Sequence, residues 1–407
     1  MHLLLIHQNF PGQFRDLGPA WLAAGHRLSA IGHAPVGPDW PGLRYLRYSF
    51  DSVEPTDLQR AQAVEQISQW LQQQDPPDLA LVHSGWGEAL RLRRALPATP
   101  IVVYPELWGT PASLGLGVDP ALAGPEDLPG LAPLLDRQNL LAELAILQAD
   151  AAVVPSPSQK ASFPAPLRKR LRVIAEGVNL ERLGPDPAAR FHTDTGLSLR
   201  AGDPVVTLVS RQLEPLRGLR AALQAWPLVQ QALPEAQLVL VGGTDRGYGI
   251  EPPRGSSHLA DALEGLPLEQ IHVLPPLPHH QMIRLLQCSA CHLALSYPYT
   301  LSWSHLEAMA CAAPLITNPE SPLAQHLTPD QNALITSLHA PAELAEAILR
   351  LLGQPALRQR MGEASRQLIA EQFNLERSLE LYDALFQRLS SAARSVGQSA
   401  LQSPRRG

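Results

Sequence analysis

A chain of 407 residues is too long for one ordinary hydrophobic core, so two domains are expected. With 45% hydrophobic and 17% charged residues it reads as globular, and a formal net charge of −6 argues against a nucleic-acid platform. Three cysteines make no disulfide framework, no apolar run reaches the length of a membrane span, and the only lysines are Lys160 and Lys169, so the second half cannot hold a pyridoxal-phosphate Schiff base, which disfavours a phosphorylase.

The opening residues lack a basic region and a small-residue cleavage site. Residues 3–7 therefore read as a first buried strand rather than a signal peptide, and a cytoplasmic location is expected. Gln8-Asn9-Phe10-Pro11-Gly12-Gln13 follows, then a helix carrying Leu17, Trp21, Leu22 and Ala24 and ending at Gly25, a residue able to take the left-handed C′ position. With a strand at 28–31 this is a βαβ opening. Gly12 serves either a tight turn or the approach of backbone to a ligand. Residues 56–74 are helical with Thr56 as N-cap, and Asp75-Pro76-Pro77-Asp78 breaks them off. Strands at 79–82 and 101–104 lead into His83 and Glu106. Ligands of parallel sheets sit beyond the carboxyl ends of strands. Both side chains are site candidates on that ground, the alternatives being a hydrogen-bonded loop histidine and a solvated loop glutamate. Residues 110–130 read as a long irregular loop, of the kind that is usually functional or mobile. A helix at 134–148, a strand at 151–154, a helix opening at 155–159 and a strand at 172–174 complete the first half.

Residues 185–204 carry Pro, Gly and charge without apolar periodicity and read as an inter-domain linker. A strand at 205–209 opens the second half. Arg211 and Arg217 follow it, ahead of Gly218 and a helix. Two guanidinium groups there can fork onto a diphosphate, or can be ordinary solvated arginines. A strand at 237–241 ends in Gly242-Gly243, where a nucleotide could come close or the chain could simply turn. Residues 244–255 read as a polar surface loop. A strand at 271–274, a helix at 279–287 and a strand at 291–295 come next. Cys288 and Cys291 have metal-ligand spacing, but no second pair exists, and they read as buried thiols.

The densest stretch is 296–317. A strand ends at Ser296, a Tyr297-Pro298-Tyr299-Thr300 turn follows, and a helical pattern runs through Trp303, Leu306 and Ala310 into a further strand. The N–H groups of Leu301 and Ser302 at a helix start suit a phosphate. Glu307 can accept from ribose hydroxyls or can close a capping box with Ser304. Helices at 340–352, 357–371 and 375–389 precede a tail, 390–407, that reads as disordered.

Three stretches carry a resemblance. These are the His7-to-Phe14 opening, the 211–218 loop, and Leu306-Glu307-Ala308-Met309-Ala310. Together they resemble glycosyltransferase family 4, also called group 1, which are retaining nucleotide-sugar enzymes. The resemblance implies the GT-B fold: α/β, with two Rossmann-like doubly wound domains facing a cleft. It implies an acceptor-side domain at 1–180, a nucleotide-sugar donor domain at 200–370, and a helix at 371–389 crossing back to the first domain. It places His83 near the transferred sugar, Arg211 and Arg217 on the donor diphosphate, and Glu307 on the ribose. Tyr299, Thr300, Leu301 and Ser302, with Gly12, Glu106, Gly218, Gly242 and Gly243, would line the donor or acceptor. The chain departs from the pattern at Tyr299, where the family has Glu, at Arg217, where Lys is usual, and at Asn179, where Asp is usual. No Asp-x-Asp pair is present, which fits a metal-independent site with no cofactor beyond the nucleotide diphosphate sugar itself. Expected partners are that donor and a glycan or lipid-linked acceptor, with no nucleic acid and with peripheral membrane contact at the inner face admitted. Oligomeric state is left open. The alternatives are a nucleotide-sugar epimerase of the same architecture and a non-catalytic sugar-binding homologue, the latter motivated by Tyr299.

Overall fold

The structure, a computed structural model, describes residues 1–50, 55–118, 125–245, 247, 250–252 and 256–402, and the side chains of all these except 125 and 394–402. The chain divides into two units. Unit 1 is Met1–Gly109, Ala132–Gly177 and Leu375–Gly407, and unit 2 is Thr110–Leu131 and Val178–Asn374.

Unit 1 is built on seven parallel strands: β1 (His2–Ile6), β2 (Arg27–Gly32), β3 (Leu43–Arg47), β4 (Leu79–His83), β5 (Ile101–Tyr104), β6 (Ala151–Val154) and β7 (Leu171–Val173). Their order is β3-β2-β1-β4-β5-β6-β7. Winding reverses between β1 and β4, which opens a crevice at their carboxyl ends. Leu3, Leu4, Leu5 and Ile6 are wholly buried. That is the continuous apolar run demanded of a strand covered on both faces. Helix Asp57–Gln74 starts with a reciprocal capping box between Thr56 and Gln59. Helix Leu375–Gln402 belongs to this unit too. Its Tyr382 and Phe386 rings lie 5.6 and 5.5 Å from the ring of the buried Trp21. The helix continues past Ser390, where a disordered tail was expected. The remainder of that tail, 403–407, lies outside the described residues.

Unit 2 holds β8 (Arg190–His192), β9 (Ser198–Arg200), β10 (Val205–Gln212), β11 (Gln237–Gly243), β12 (Ile271–Leu274), β13 (Cys291–Leu293), β14 (Leu315–Thr317) and β15 (Leu334–Ile335). Six of them form a parallel sheet in the order β12-β11-β10-β13-β14-β15, with the reversal between β10 and β13. The 185–204 stretch is not a bare linker: β8 and β9 pair antiparallel within it, with Phe191 opposite Leu199 and both buried. Strands of three residues are too short to show a period, so this hairpin was invisible in the sequence.

The 110–130 stretch also differs from the expectation. A 3-10 turn occupies Pro111–Leu114, and helix Leu128–Gln148 begins early and runs through Pro133. Residues 119–124 lie outside the described residues, as do 246, 248–249 and 253–255 of the expected 244–255 loop. The first part of the stretch sits in unit 2, against the turn that carries Tyr297. Gly115 (φ +96°) backs onto Tyr297, whose ring carbon would stand 2.8 Å from an added Cβ. Burial of Leu114 and Leu116 holds it there.

Candidate functional site

Each unit gathers polar side chains at the carboxyl end of its sheet. In unit 1, β1 delivers His7 and β4 delivers His83, their ring centroids 4.8 Å apart and both buried. The Asn9 N–H donates to His7 Nδ1 at 2.9 Å, which leaves the proton of the neutral ring on Nε2. That Nε2–H donates to Gln13 Oε1 at 2.6 Å. Gln13 Nε2 in turn donates to Glu106 Oε1 at 3.4 Å. Likewise the Gly85 N–H donates to His83 Nδ1 at 3.3 Å, so His83 Nε2–H points at Glu106 Oε2, 3.3 Å away. Two histidines thus converge on one carboxylate, one directly and one through an amide. Burial, then the neighbouring His83, hold the His7 imidazole well below its usual basicity. Trp86 stacks on His83 at 4.6 Å, and Tyr104 lies behind it at 5.7 Å, its hydroxyl donating to Glu176 Oε1 at 2.6 Å.

Glu106 has φ +60°, a left-handed conformation that a residue with a Cβ adopts only under local constraint. Gln159 Nε2 supplies one such constraint by donating to the Glu106 carbonyl at 3.1 Å. Gly12 is also left-handed, at φ +48°, but what approaches it is protein: an added Cβ would stand 2.3 Å from His7 Nε2. His7, Gln13 and Trp86 were not singled out from sequence. His7 looked like the last residue of a strand, and only the fold turns its ring toward His83.

In unit 2, β10 runs to Gln212, so Arg211 sits on the strand's last residues, its side chain exposed, rather than in a loop. Gly242 and Gly243 are within β11. Added Cβ atoms would meet Ser210 O at 2.7 Å and Gln212 Oε1 at 2.3 Å, so it is the neighbouring strand end that these glycines accommodate. Arg217 ends a 3-10 turn and faces the turn after β13. Its Nη1 donates to Ser296 Oγ at 3.0 Å and to the Thr300 carbonyl at 2.9 Å, its Nη2 to Thr300 Oγ1 at 3.1 Å, and its guanidinium lies 5.6 Å over the Tyr299 ring. Thr300 is therefore engaged with Arg217, and Leu301 is buried. Gly218, at φ +72°, opens helix Leu219–Ala232 against Leu295, whose Cβ would lie 2.3 Å from an added one. Asn318 fixes the same turn from below, accepting from the Ser296 N–H and donating to the Ser296 carbonyl, each at 2.8 Å.

Helix Trp303–Ala310 has Ser302 as N-cap, with no side-chain cap bond. Ser304 Oγ donates to the Val209 carbonyl at 2.7 Å and ties the helix start to β10. This removes the capping-box alternative for Glu307, because Ser304 lies inside the helix and its hydroxyl is engaged elsewhere. The Glu307 carboxylate is buried with Oε1 2.9 Å from Nε2 of His279, a residue at the start of helix His279–Cys288 that sequence reading passed over. Beneath lie two buried histidines. His292 Nδ1 is 2.9 Å from Thr207 Oγ1, and burial pushes this imidazole down to about 3. His305 is lowered by burial and then by Arg217. Cys288, Cys291 and Cys311 are free and buried, and burial raises the Cys288 thiol to about 11 and the Cys311 thiol to about 12. Among the described residues no three His, Cys, Asp or Glu side chains are grouped to hold a metal ion.

Two family models match the chain: Glycosyl transferase family 4 group over residues 26–183, and Glycosyl transferases group 1 over residues 196–368. D-inositol 3-phosphate glycosyltransferase from Nocardia farcinica is 28% identical over 199 residues, covering 48% of this chain and 42% of its own length. The protein of that name from Mycobacterium bovis is 29% identical over 243 residues, 58% of this chain and 46% of its own. The chain thus spans about half the length, or less, of the curated relatives it matches. Among solved structures, sucrose-phosphate synthase from Thermosynechococcus elongatus superposes with a TM-score of 0.75 at 21% identity, over 96% of this chain and 100% of that one. Anabaena HepE, solved with UDP and glucose, gives 0.69 at 15% identity over 95% and 99%. These likenesses show the two-domain GT-B fold.

Proposed function

Because the chain belongs to the group 1 glycosyltransferases, we propose that it moves a sugar from a nucleoside diphosphate donor to a hydroxyl of a glycan or lipid-linked acceptor. The bond from the anomeric carbon to the diphosphate oxygen breaks. The acceptor oxygen bonds that carbon, and its proton leaves with the products. Negative charge grows on the diphosphate as the sugar becomes oxocarbenium-like. Cations and N–H groups already in place stabilise such charge without reorganising.

The observation that carries the reading is Arg217 clamped on the 296–300 turn, directly before the helix that bears Glu307. In this reading Arg211 meets the diphosphate and Arg217 both adds charge and shapes the turn. The N–H groups at Leu301 and Ser302 face the phosphate, and Glu307, braced by His279, takes the ribose. Glu106 and His83 would address the acceptor or the transferred sugar. Retention of configuration, and catalysis without a metal, are part of the proposal through the family. Arg217 stacked over Tyr299 favours one second reading, a sugar-binding homologue without turnover, since a phenol replaces the usual carboxylate there. The curated relatives carry glycosyltransferase names, which disfavours the epimerase.

A thermal-shift screen of uridine, guanosine and adenosine diphosphate sugars tests the donor, with UDP-glucose first because it has been solved with HepE. Product analysis with glycan and lipid-linked acceptors follows. Stabilisation with sugar transfer supports the proposal, and stabilisation without transfer to any acceptor supports the binding homologue. No stabilisation by any donor overturns both.

A further inference from the structure

Helix Asp57–Gln74 and strand β3 leave a hollow between them in unit 1. Its volume is about 350 Å³, and Leu46, Arg47, Gln66, Ile67 and Trp70 line it. Small-ligand sites begin at about that size. β3 is the outermost strand of its sheet, so no further strand closes that side. Leu46 and Ile67 pack down on the core and make the floor. Trp70 stays up, its side chain 43% exposed. Single exposed apolar side chains are ordinary on a protein surface. This one borders a concavity and is held in place. The Arg44 guanidinium lies 4.7 Å over its ring, an attraction that fixes the indole, and Arg44 itself is not one of the walls.

The charge around the hollow is one-sided. β3 carries Arg44 and Arg47 and no acid. The helix carries two acids, and both are engaged elsewhere, Asp57 with Arg137 and Glu65 with Arg91. Arg44 and Arg47 are exposed, and neither is paired with an acid among the described residues. Gln66, also exposed, adds a carboxamide to the rim. These groups choose the ligand. A sugar ring presents a face of C–H bonds and an edge of hydroxyls. An indole suits the first and an amide the second. A guanidinium fork suits a carboxylate. A nucleobase would also suit an indole, but a formal net charge of −6 argues against a nucleic-acid platform.

We infer that this hollow binds an anionic saccharide, a uronate-bearing stretch of glycan, away from the residues that would carry out transfer. The inference deepens the transfer reading and rests on its glycan acceptor. Trp70 stacks on one sugar ring, Gln66 takes its hydroxyls, and Arg47 forks onto the carboxylate. The position fits that use. In the order β3-β2-β1-β4, three strand intervals separate β3 from the strand that delivers His83, about 14 Å across the sheet. Arg47 ends β3, and the next residue, Tyr48, donates its hydroxyl to Glu88 Oε1 at 3.0 Å, in the segment that follows His83. A glycan with its growing end near His83 can therefore keep an earlier stretch in the hollow. A second hold of this kind raises affinity for longer acceptors without altering the chemistry at the first.

The test is calorimetric titration of the full chain with oligomers of galacturonate, glucuronate and mannuronate, with their carboxyl-reduced counterparts, and with a single-stranded RNA oligomer. At least one uronate series should bind, about tenfold tighter than its reduced form and more weakly as salt rises. Trp70→Ala should lose about tenfold, and Trp70→Phe should keep most of the affinity. Arg47→Gln should bring the uronate down to the level of its reduced form. Donor stabilisation in the thermal-shift screen should be unchanged in all three variants. A wild type that ignores every uronate yet responds to a donor overturns the saccharide site and leaves the transfer reading standing. Uronate binding that these variants weaken, with no donor response, sinks the transfer reading alone. Uronate binding that none of the three variants changes, equal binding of the reduced oligomers, or RNA bound as tightly as any uronate also overturns the inference.

Discussion

Arg217→Lys separates two jobs that one cation could do. If Arg217 serves only as positive charge for a diphosphate, lysine should replace it, as it does in the resembled family. The geometry says more is lost. Two guanidinium nitrogens make three hydrogen bonds, to Ser296 Oγ, the Thr300 carbonyl and Thr300 Oγ1. A single ammonium on a shorter, flexible stem cannot reproduce that fork, and two of the three bonds should go. Hydrogen bonds from charged groups are worth about 1.5–3 kcal/mol each, and discounting for the half-buried setting leaves about 1 kcal/mol apiece. A loss of about 2 kcal/mol in holding the 296–300 turn corresponds to about thirtyfold in affinity for whatever the turn must grip. Calorimetric titration of wild type, Arg217→Lys and Arg217→Ala with the nucleoside diphosphate of the best donor reads this directly. Lysine should fall near alanine. If Arg217→Lys binds within about twofold of wild type, the clamp argument is wrong and charge alone suffices.

Three more expectations can be checked on the same protein. Glu307→Gln keeps a partner for His279 but removes the charge that would grip a ribose, so nucleotide affinity should drop about tenfold with little change in melting temperature. Gly218→Ala forces a left-handed alanine and a Cβ 2.3 Å from that of Leu295, which should cost about 3 kcal/mol in urea titration. Gly25→Ala, equally left-handed with nothing within 4 Å, is its control and should cost only about 1–2 kcal/mol. Finally, His292 is held at about 3, below its unfolded value near 6.5. Unfolding therefore takes up a proton between those values, and stability falls as pH drops through that window, by about 1.4 kcal/mol per unit from this group. His292→Gln should flatten the acid limb of a stability–pH curve by one proton, and an unchanged slope would show that the buried ring is already charged.

Sequence patterning reached the elements that are long or sharply punctuated. Leu3 to Ile6 declares a covered strand by composition, and Thr56 declares the start of its helix. β3 escaped notice because Arg44 and Arg47 interrupt an edge strand that is half exposed. At the candidate sites, sequence pointed to strand ends, and the structure shows which protein atoms stand beside them. Gly12, Gly242 and Gly243 are required to be small, as expected, yet His7, Ser210 and Gln212 are what press on them. A sequence records that space is needed and not which atom claims it. His279 and Asn318 are the converse. Each reaches its partner across more than twenty residues, to Glu307 and Ser296, and no local spacing announces such a contact.

Unit 1 is not one continuous piece of chain. Residues 1–177 supply its sheet, but the cover over Trp21 comes from Tyr382 and Phe386, after all of residues 178–374. During synthesis residues 1–177 must wait, with an indole uncovered, until the segment bearing Tyr382 and Phe386 has also been made. Helix Leu375–Gln402 is thus a late-arriving cover on a core made long before it, and removing it would damage that distant core more than the residues 178–374 that directly precede it.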